Sequence, residues 1–215
     1  MKLMLPRASR QQYPTGFIEP CLPTLGHTVP SGPQWVHEIK HDGYRFICRR
    51  DGDRVHVFSR RGNDYAERVP AIAMALHALP VQSVTIDGEG VVCNGDGVSD
   101  FEMLRSELGR KGSRVPFLYA FDLLEVDGRD LHREPWHVRR EILVRLLRGA
   151  GHGVQLSEHL ATTDGNTIFR HACAMGLEGI VAKRRDKPYR SGRSPDWIKV
   201  KNPNAPAAIR VIETF

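Results

Sequence analysis

A run of short apolar segments separated by Asp-Gly pairs, within residues 35–58, most constrains how this chain can fold. The segments are WVHEI, YRFIC and RVHVF, and Asp-Gly stands between them at 42–43 and 51–52. Asp-Gly favours tight hairpin turns because glycine and aspartate tolerate positive φ. The pattern therefore predicts consecutive strands, paired as hairpins, in this part of the chain.

Strand and helix patterns alternate irregularly over the rest of the sequence. Apolar spacing predicts helices at 67–79, 101–108, 136–147 and 164–175, and strands at 84–92, 117–126, 154–158, 179–183 and 197–201. Few clean strand–helix–strand units occur, so the predicted class is α+β with largely antiparallel sheets flanked by helices. The proline-rich residues 1–34 are predicted to form an extended arm, and the tail at 208–214 has β-like composition.

The composition fits a single globular domain and excludes several classes. The 215 residues are 40% hydrophobic and 26% charged, which excludes disorder, collagen and coiled coil. No apolar run approaches the ~20 residues that span a bilayer, so we expect a cytoplasmic protein with no membrane partner. The four cysteines contain no CxxC pair, which favours a reducing compartment. The net charge of +6 weakly favours an acidic partner such as a nucleotide or nucleic acid.

The segment HEIKH at 37–41 matches the HExxH signature of zinc proteases. Zinc binding requires both histidines on one helical turn, so that both ring nitrogens reach one metal. In a strand, His37 and His41 lie about 13 Å apart at ~3.3 Å per residue, which is too far for one ion. We therefore expect two partly exposed strand histidines rather than a zinc site.

Lys40 stands at the end of a predicted strand, directly before an Asp-Gly turn. Glu38 lies two residues earlier on the same face of that strand. In a cleft, desolvation or nearby cations favour the neutral amine of a lysine, which is a nucleophile. A solvated lysine beside a hairpin turn is the simpler interpretation of this segment alone, so the functional interpretation needs other groups.

Several later charges suit a triphosphate. They follow or begin predicted strands, and two lysines emerge on one strand face because side chains alternate. The residues are Arg60, Glu89 (in a predicted tight turn at 87–89), Glu178, Lys199 and Lys201. Neither a GxxxxGK[ST] loop nor a GxGxxG after a strand occurs. A bound nucleotide must therefore be held by side chains on strands, and Walker-type chemistry is disfavoured.

With these residues assembled, the chain resembles the adenylation domain of ATP-dependent DNA ligases, in the covalent nucleotidyltransferase superfamily shared with RNA ligases and mRNA capping enzymes. The ordered motifs are KHDGYR at 40–45, SRRG at 59–62, DGE at 87–89, FDLL at 121–124, EGIVAK at 178–183 and WIKVK at 197–201. FIEP at 17–20 and YRSGRS at 189–194 are most similar to bacterial end-joining ligases. The resemblance spans residues 14–201 and implies an ATP-grasp-like fold with a nucleotide cleft between sheets.

The resemblance also implies a role for each matched residue. Lys40 would attack the α-phosphate of ATP, expel pyrophosphate and form lysyl-AMP, and the AMP would pass to a 5′-phosphate of nicked or broken duplex DNA. Glu38 would bind the adenine amino group and Phe121 would stack on adenine. Further implied nucleotide contacts are Arg45, Arg60, Glu89, Lys199 and Lys201. Glu178 and Glu89 would hold Mg²⁺ or Mn²⁺. Backbone phosphates of DNA would meet Lys183, Arg184, Arg185, Arg190 and Arg193, although a solvated charged loop explains the arginines equally well.

Ligases of this family continue into an oligonucleotide-binding (OB) barrel, and too few residues follow Lys201 to form one. We therefore expect residues 1–215 to form a single adenylation domain, acting as a monomer, with an OB-fold or end-joining partner supplied in trans for complete sealing. Two alternatives stay open. One is a non-catalytic module that binds DNA ends or a partner, and the other is an RNA ligase, which shares the first chemical step.

Overall fold

The computed structural model describes residues 14–109, 114–160 and 164–206. The predicted tail strand at 208–214 and the first thirteen residues of the arm lie outside these ranges. The strands are β1 (Cys21–Leu25), β2 (Trp35–Ile39), β3 (Tyr44–Asp51), β4 (Arg54–Ser59), β5 (Ser83–Val91), β6 (Phe117–Val126), β7 (Arg129–Asp130), β8 (Val154–Leu156), β9 (His159–Leu160), β10 (Gly179–Arg184) and β11 (Gly192–Lys201). The α-helices are α1 (Pro70–His77), α2 (Phe101–Gly109), α3 (Trp136–Leu146) and α4 (Gly165–Ala174).

The strands form two sheets. The first sheet has the order β1-β11-β10-β2-β9, and the second has the order β4-β3-β5-β6-β7, with β8 paired to β6. Only β1–β11 and β6–β8 are parallel among the pairs of described strands. The predicted α+β class with largely antiparallel sheets is confirmed. In the described part of the chain no helix is long and apolar enough to cross a membrane.

The two Asp-Gly pairs have different structural roles. Residues 52–53 form the hairpin loop between β3 and β4, and Gly52 adopts φ 59°, as the sequence predicts. The predicted hairpin at 42–43 is wrong, because β2 and β3 lie in different sheets and the chain crosses between them there. Gly43 is required for a different reason: a Cβ atom would lie 2.2 Å from the carbonyl oxygen of Gly90.

Three other elements differ from the prediction. The extended arm contains β1, whose parallel pairing with β11 begins at Cys21 opposite Gly192. The helix predicted at 67–79 is a short 3₁₀ turn followed by α1, because Pro70 fits only the first turn of an α-helix. The predicted tight turn at 87–89 is absent, and β5 runs through it. Gly88 serves close packing instead, since a Cβ atom would lie 2.8 Å from Leu118 and from the carbonyl oxygen of Tyr119.

Three apolar clusters hold the layers together. The largest packs α1 and α3 against the outer face of the second sheet, and includes Phe46, Ile72 and Leu143. A smaller cluster joins the inner faces of the two sheets and includes Ile47, Phe58, Phe121, Leu124 and Trp197. The third packs α4 against the first sheet. The inter-sheet cluster fills only part of the space between the sheets. The rest is a cleft lined by residues of both sheets.

A buried ion pair ties α3 to β6. Arg139 donates from Nε and Nη2 to the two carboxylate oxygens of Asp122, at 2.7 and 2.8 Å. Both side chains are at most 1% exposed. The guanidinium also donates to the carbonyl oxygen of Glu134 at 2.6 Å. The pair therefore fixes the start of α3 against the strand that carries Phe121.

Replacing Arg139 with Met should lower the free energy of unfolding by about 3–5 kcal/mol, because Asp122 then stays buried without its partner. Denaturant titration followed by far-UV circular dichroism measures this loss. The control is Arg145→Met on the same helix, where the exposed ion pair with Glu141 should contribute less than about 0.5 kcal/mol. A loss below about 1 kcal/mol in Arg139→Met would contradict the assignment.

Candidate active site

Lys40 occupies the point where β2 ends and the chain leaves the first sheet. Its backbone N–H donates to the carbonyl oxygen of Gly179 at 3.0 Å, which holds it beside β10. Its Nζ lies 2.5 Å from Oε2 of Glu178, whose side chain is 7% exposed. Gly179 has φ 141°, and a Cβ atom there would lie 2.1 Å from the carbonyl oxygen of Val200. Only glycine at 179 therefore allows Glu178 to sit this close to Lys40.

The register of the first sheet gathers further charged residues on one face. Val181 lies opposite Glu38 on one side and opposite Lys199 on the other. Residues directly opposite in neighbouring strands point to the same face, so Glu38 and Lys199 share a face. Two residues along, Lys183 lies opposite Trp197 on that same face. This face forms one wall of the cleft.

The cleft contains a cavity of about 170 Å³ lined by residues from both sheets. Seven of the nine residues predicted to hold the nucleotide or metal line it: Glu38, Lys40, Arg45, Arg60, Glu89, Phe121 and Lys199. Glu178 and Lys201 join the group through contacts, since Lys201 Nζ lies 3.8 Å from Glu178 Oε1 and Glu178 contacts Lys40. The structure therefore brings together every residue predicted to hold the nucleotide or metal.

One end of this cleft is strongly positive. Burial and the neighbouring charges of Lys40, Lys201 and Arg60 lower the pKa of Lys199, while Glu178 opposes the shift. A group of like charges in a cleft attracts an anion that neutralises them. This end is therefore suited to phosphate groups.

The other end is formed by a buried pair of opposite charges. Lys183 Nζ donates to Glu38 Oε2 at 2.7 Å, and both side chains are at most 3% exposed. Oε1 of Glu38 is buried and has no hydrogen-bond partner among the described residues. Burial raises the pKa of Glu38, and the charges of Lys183 and Arg140 oppose that shift. Glu38 thus lines the cavity and keeps one buried acceptor oxygen without a partner among the described residues.

The burial of Lys183 corrects one prediction. A side chain this enclosed is not available to a DNA phosphate, and Lys183 instead lines the cavity. The sequence does contain the signal that places it there. Alternation along β10 puts Lys183 on the same face as Val181, which is the face that lines the cleft.

The opposite wall depends on Arg45 and Asp87. Arg45 donates from Nε and Nη2 to the two carboxylate oxygens of Asp87, at 2.5 and 2.7 Å. Asp87 also accepts from the Tyr189 hydroxyl at 2.6 Å, and that hydroxyl accepts from the backbone N–H of Cys21 at 2.7 Å. Sequence reasoning missed Asp87 and Tyr189, because a buried acid in a DGE motif and a loop tyrosine carry no pattern that marks a shared network.

Phe121 reaches the cleft through an irregularity in β6. The pairing of β5 with β6 shifts between Asp87 and Gly88, so that Phe121 is the extra residue of a β-bulge. The ring is 7% exposed. The guanidinium carbon of Arg45 lies 4.4 Å from the ring centroid, and Lys183 Nζ lies 4.3 Å from it. Phe121 thus joins the two walls at the bottom of the cleft.

A wider cavity of about 670 Å³ adjoins Glu178. Its lining is acidic, with Asp42, Asp96, Asp100 and Glu102 beside Glu178. A polyanion there would lie among five carboxylates, and the described residues of the lining include no lysine or arginine. Charge therefore makes the smaller cavity, whose wall carries lysines, the better site for a polyanion.

The predicted DNA-contact arginines lie outside the cleft. Arg185, Arg190 and Arg193 are exposed, and Arg184 is paired with Asp186 at 2.8 and 2.9 Å. The solvated alternative therefore describes the free domain, and contact with DNA stays a prediction for these residues.

The two histidines of HEIKH face different surroundings. His37 is 1% exposed and its Nε2 donates to the carbonyl oxygen of Pro30 at 2.8 Å, so the prediction of a partly exposed side chain is wrong for it. The ring of His41 stacks on Tyr119 with centroids 4.0 Å apart. Burial and the nearby Lys40 lower the pKa of His41 to about 4. Among the described residues no group of three or more His, Cys, Asp or Glu side chains is placed to hold a metal.

A lysine at a strand end, paired with a glutamate in a cleft between two largely antiparallel sheets, is the arrangement that the sequence predicts for a covalent nucleotidyltransferase. The sequence profile described as "ATP dependent DNA ligase domain" matches residues 25–201. The chain belongs to this family, as the sequence motifs predict.

Individual relatives agree with this assignment. The "Multifunctional non-homologous end joining protein LigD" of Pseudomonas aeruginosa is 37% identical over 186 residues, covering 86% of this chain and 22% of that protein. A "Probable DNA ligase" of Mycobacterium sp. is 36% identical over 198 residues, covering 88% of this chain and 36% of that protein. The chain thus spans well under half the length of both relatives.

Solved structures show the same architecture. A "mycobacterial DNA ligase D complexed with ATP and MES" superimposes with a TM-score of 0.74 at 34% identity, over 85% of this chain and 59% of that one. The ligase domain from M. tuberculosis LigD gives a TM-score of 0.72, also at 34% identity, over 85% of this chain and 60% of that one. The nucleotidyltransferase fold expected from the motifs is confirmed.

Glu89 should make the stability of the nucleotide-free domain fall as pH rises. Burial raises the pKa of Glu89 to about 7, with Glu178 and Asp87 adding to the shift and Lys40 and Arg45 opposing it. The folded state therefore binds this proton more tightly than the unfolded state. The stability contributed by the proton falls between about pH 4.5, where the unfolded state loses it, and about pH 7, where the folded state loses it.

Replacing Glu89 with Gln should therefore stabilise the domain at pH 8 by about 1–2 kcal/mol relative to wild type, with little difference at pH 4.5. Urea unfolding at the two pH values measures the difference. Glu141→Gln, at an exposed position, is the matched control. An equal effect of Glu89→Gln at both pH values would contradict the assigned titration.

Proposed function

We propose that this domain transfers AMP from ATP to Lys40 and then to the 5′-phosphate of nicked or broken duplex DNA, as the adenylation domain of an ATP-dependent DNA ligase. One observation carries the proposal: Lys40 Nζ faces a cleft whose wall holds Glu178, Lys199 and Lys201 around it. A pure binding module for DNA ends or a partner protein has no need of this arrangement, so the non-catalytic alternative is not favoured.

In the first step the lone pair of Lys40 Nζ forms a bond to the α-phosphorus, and the bond from that phosphorus to the bridging oxygen breaks. Pyrophosphate leaves with the electron pair. The ammonium form of Lys40 must first lose a proton, which the Glu178 carboxylate at 2.5 Å can accept, and the nitrogen releases a second proton to water once the N–P bond has formed. Lys199 and Lys201 stabilise the negative charge that grows on the α-phosphate oxygens.

The base fits the opposite end of the cleft. Glu38 Oε1, buried and without a partner, is an acceptor for the exocyclic amino group of adenine. Phe121 lines the same cavity and offers an aromatic face. Arg45 and Arg60 line it as well, and in this proposal they contact the nucleotide.

The carboxylates of Glu89 and Glu178 suit a magnesium or manganese ion. Mg²⁺ is typically bound by one or two carboxylates together with phosphate oxygens and water, which matches two acidic groups beside the positive end of the cleft. When bound, the ion neutralises charge on the phosphates. The chain's own residues, Lys40, Glu178, Lys199 and Lys201, perform the steps described above.

DNA is the proposed acceptor. Arg184 ends β10, Arg185 and Arg190 lie in the loop that follows, and Arg193 lies near the start of β11. In this proposal the four arginines hold backbone phosphates without reading sequence. The chain spans only part of the length of its relatives. We therefore include in the proposal an OB-fold or end-joining partner that completes the binding of DNA. We also propose that the domain acts as a monomer. An RNA acceptor is the alternative that shares the first step.

The test is the intact mass of the protein after incubation with ATP and Mg²⁺. Wild type should gain the mass of one AMP, and Lys40→Ala should gain none because no nitrogen is left at the reacting position. Lys187→Ala, which removes a partly exposed lysine beside Asp186, is the control and should label as wild type does. Absence of the adduct in wild type that still binds ATP would overturn the catalytic proposal.

The labelled protein then identifies the acceptor. Freed of ATP and mixed with equal amounts of 5′-phosphorylated nicked DNA and nicked RNA, it should pass AMP to the DNA. Preferential transfer to RNA would replace the DNA ligase proposal by the RNA ligase alternative.

A further inference from the structure

A buried group of polar atoms lies behind the base end of the cleft and has no role in the steps above. It comprises Trp136 Nε1, Arg140 Nε and Nη1, and Ser157 Oγ, none of which has a hydrogen-bond partner among the described residues. The three residues are 2%, 4% and 1% exposed. Buried polar groups are nearly always hydrogen-bonded, so four unsatisfied atoms on three neighbouring residues call for a physical explanation.

Arg140 is the most costly member of this group. Its guanidinium donates from Nη2 to the carbonyl oxygen of Ser157 and lies 5.8 Å from the centroid of the Trp136 ring. In the described part of the chain it has no carboxylate within ion-pair distance. Its neighbour Arg139, by contrast, is fully paired with Asp122. A buried charge without a partner is strongly unfavourable, so Arg140 must be compensated by something nearby.

The contacts around Arg140 lead to Glu38. Trp136 packs edge-on against the ring of His159, with centroids 5.1 Å apart. His159 is the residue opposite Glu38 in the pairing of β2 with β9. Arg140 is one of the two cations whose charge opposes the burial of Glu38. His159 thus lies between the unsatisfied donors of Trp136 and Arg140 on α3 and the unsatisfied acceptor Oε1 of Glu38 on β2.

Ordered water is the chemistry that joins such groups. A buried water molecule typically makes about three hydrogen bonds to polar atoms that lack partners. Water held by Trp136, Arg140 and Ser157 would accept hydrogen bonds from their donors. Through that water, the positive charge of Arg140 would stabilise the ionised form of Glu38. None of the three residues lines the nucleotide cavity, so they act on the base only through Glu38.

We propose that Arg140 is a positioning residue that sets base selectivity, keeping the Glu38 carboxylate ionised and its Oε1 aimed at the base, so that a 6-amino purine is preferred over a 6-oxo purine. An ionised carboxylate only accepts hydrogen bonds. It therefore pairs with a 6-amino group and opposes a 6-oxygen, whereas a protonated carboxyl group donates to that oxygen. The inference rests on the proposed nucleotide function and assigns a residue behind the cleft to it.

The test compares the dissociation constants of ATP and ITP, which differ at the 6-position of the base, by isothermal titration calorimetry. Wild type should prefer ATP. Arg140→Met should lose about tenfold of that preference, chiefly through tighter relative binding of ITP. Arg145→Met, an exposed arginine on the same helix, is the matched control and should keep the wild-type ratio. A merely structural role would weaken both nucleotides equally and leave the ratio unchanged.

Two conservative variants keep the test decisive if Arg140→Met does not fold. Arg140→Lys retains the charge and should keep most of the preference, whereas Trp136→Phe removes one donor from the water site and should lose part of it. If those of Arg140→Met and Trp136→Phe that fold keep the wild-type ratio of ATP to ITP affinity, the inference about Arg140 is overturned while the proposed function stands. Failure of wild type to bind either nucleotide would instead overturn the proposed function.

Discussion

The bidentate ion pair between Arg45 and Asp87 is the contact on which the cleft depends. It lies within the second sheet, but Arg45 also donates to the carbonyl oxygen of Cys21 in β1 of the first sheet, at 3.2 Å. Asp87 accepts from Tyr189 in the loop between β10 and β11, whose hydroxyl in turn accepts from the backbone N–H of Cys21. Few apolar side chains join the inner faces of the sheets, so this network of charge-assisted hydrogen bonds fixes their separation. Loss of either partner would leave a buried charge and loosen both walls together.

The fixed walls produce a cleft with two unlike ends. At one end Glu38 and Lys183 largely cancel each other's charge and leave one acceptor oxygen free. At the other end four cations, Lys40, Arg60, Lys199 and Lys201, outnumber the two carboxyl groups of Glu89 and Glu178. A molecule with an uncharged hydrogen-bonding ring and a polyanionic tail matches this polarity in one orientation only. In the function proposed above, this orientation brings the α-phosphate, at the junction of the sugar and the polyphosphate tail, beside Lys40.

Much of the site could be predicted because it depends on strand alternation. Lys199 and Lys201 share a face in any regular strand, and Lys40 follows β2 wherever that strand pairs. Lys183 obeys the same rule, since alternation along β10 places it on the face of Val181. Its burial, however, depends on Glu38 in another strand, which the pattern of a single strand does not show. Arg140 is buried on the inward face of α3, and its position there likewise depends on packing between elements.

The parts of the fold that were missed depend on long-range contacts. β1 becomes a strand only because β11 offers it a parallel edge, some 170 residues further along the chain, and proline-rich local sequence hides this. Asp42-Gly43 has the composition of a hairpin turn. Glycine is required at 43, however, because a side chain there would clash with the backbone of β5 at Gly90. The bulge that turns Phe121 into the cleft likewise follows from pairing with β5. Local propensity does not encode such contacts.

A crystal structure of the domain with α,β-methylene-ATP tests the central claim most directly, since a carbon bridge keeps the α-phosphate from being transferred. The account predicts the α-phosphorus about 3–3.5 Å from Lys40 Nζ, with the β-phosphate on the far side and the base amino group on Glu38 Oε1. A nucleotide bound in the wider acidic cavity, or one whose α-phosphorus stays out of reach while Lys40 remains on Glu178, would contradict it.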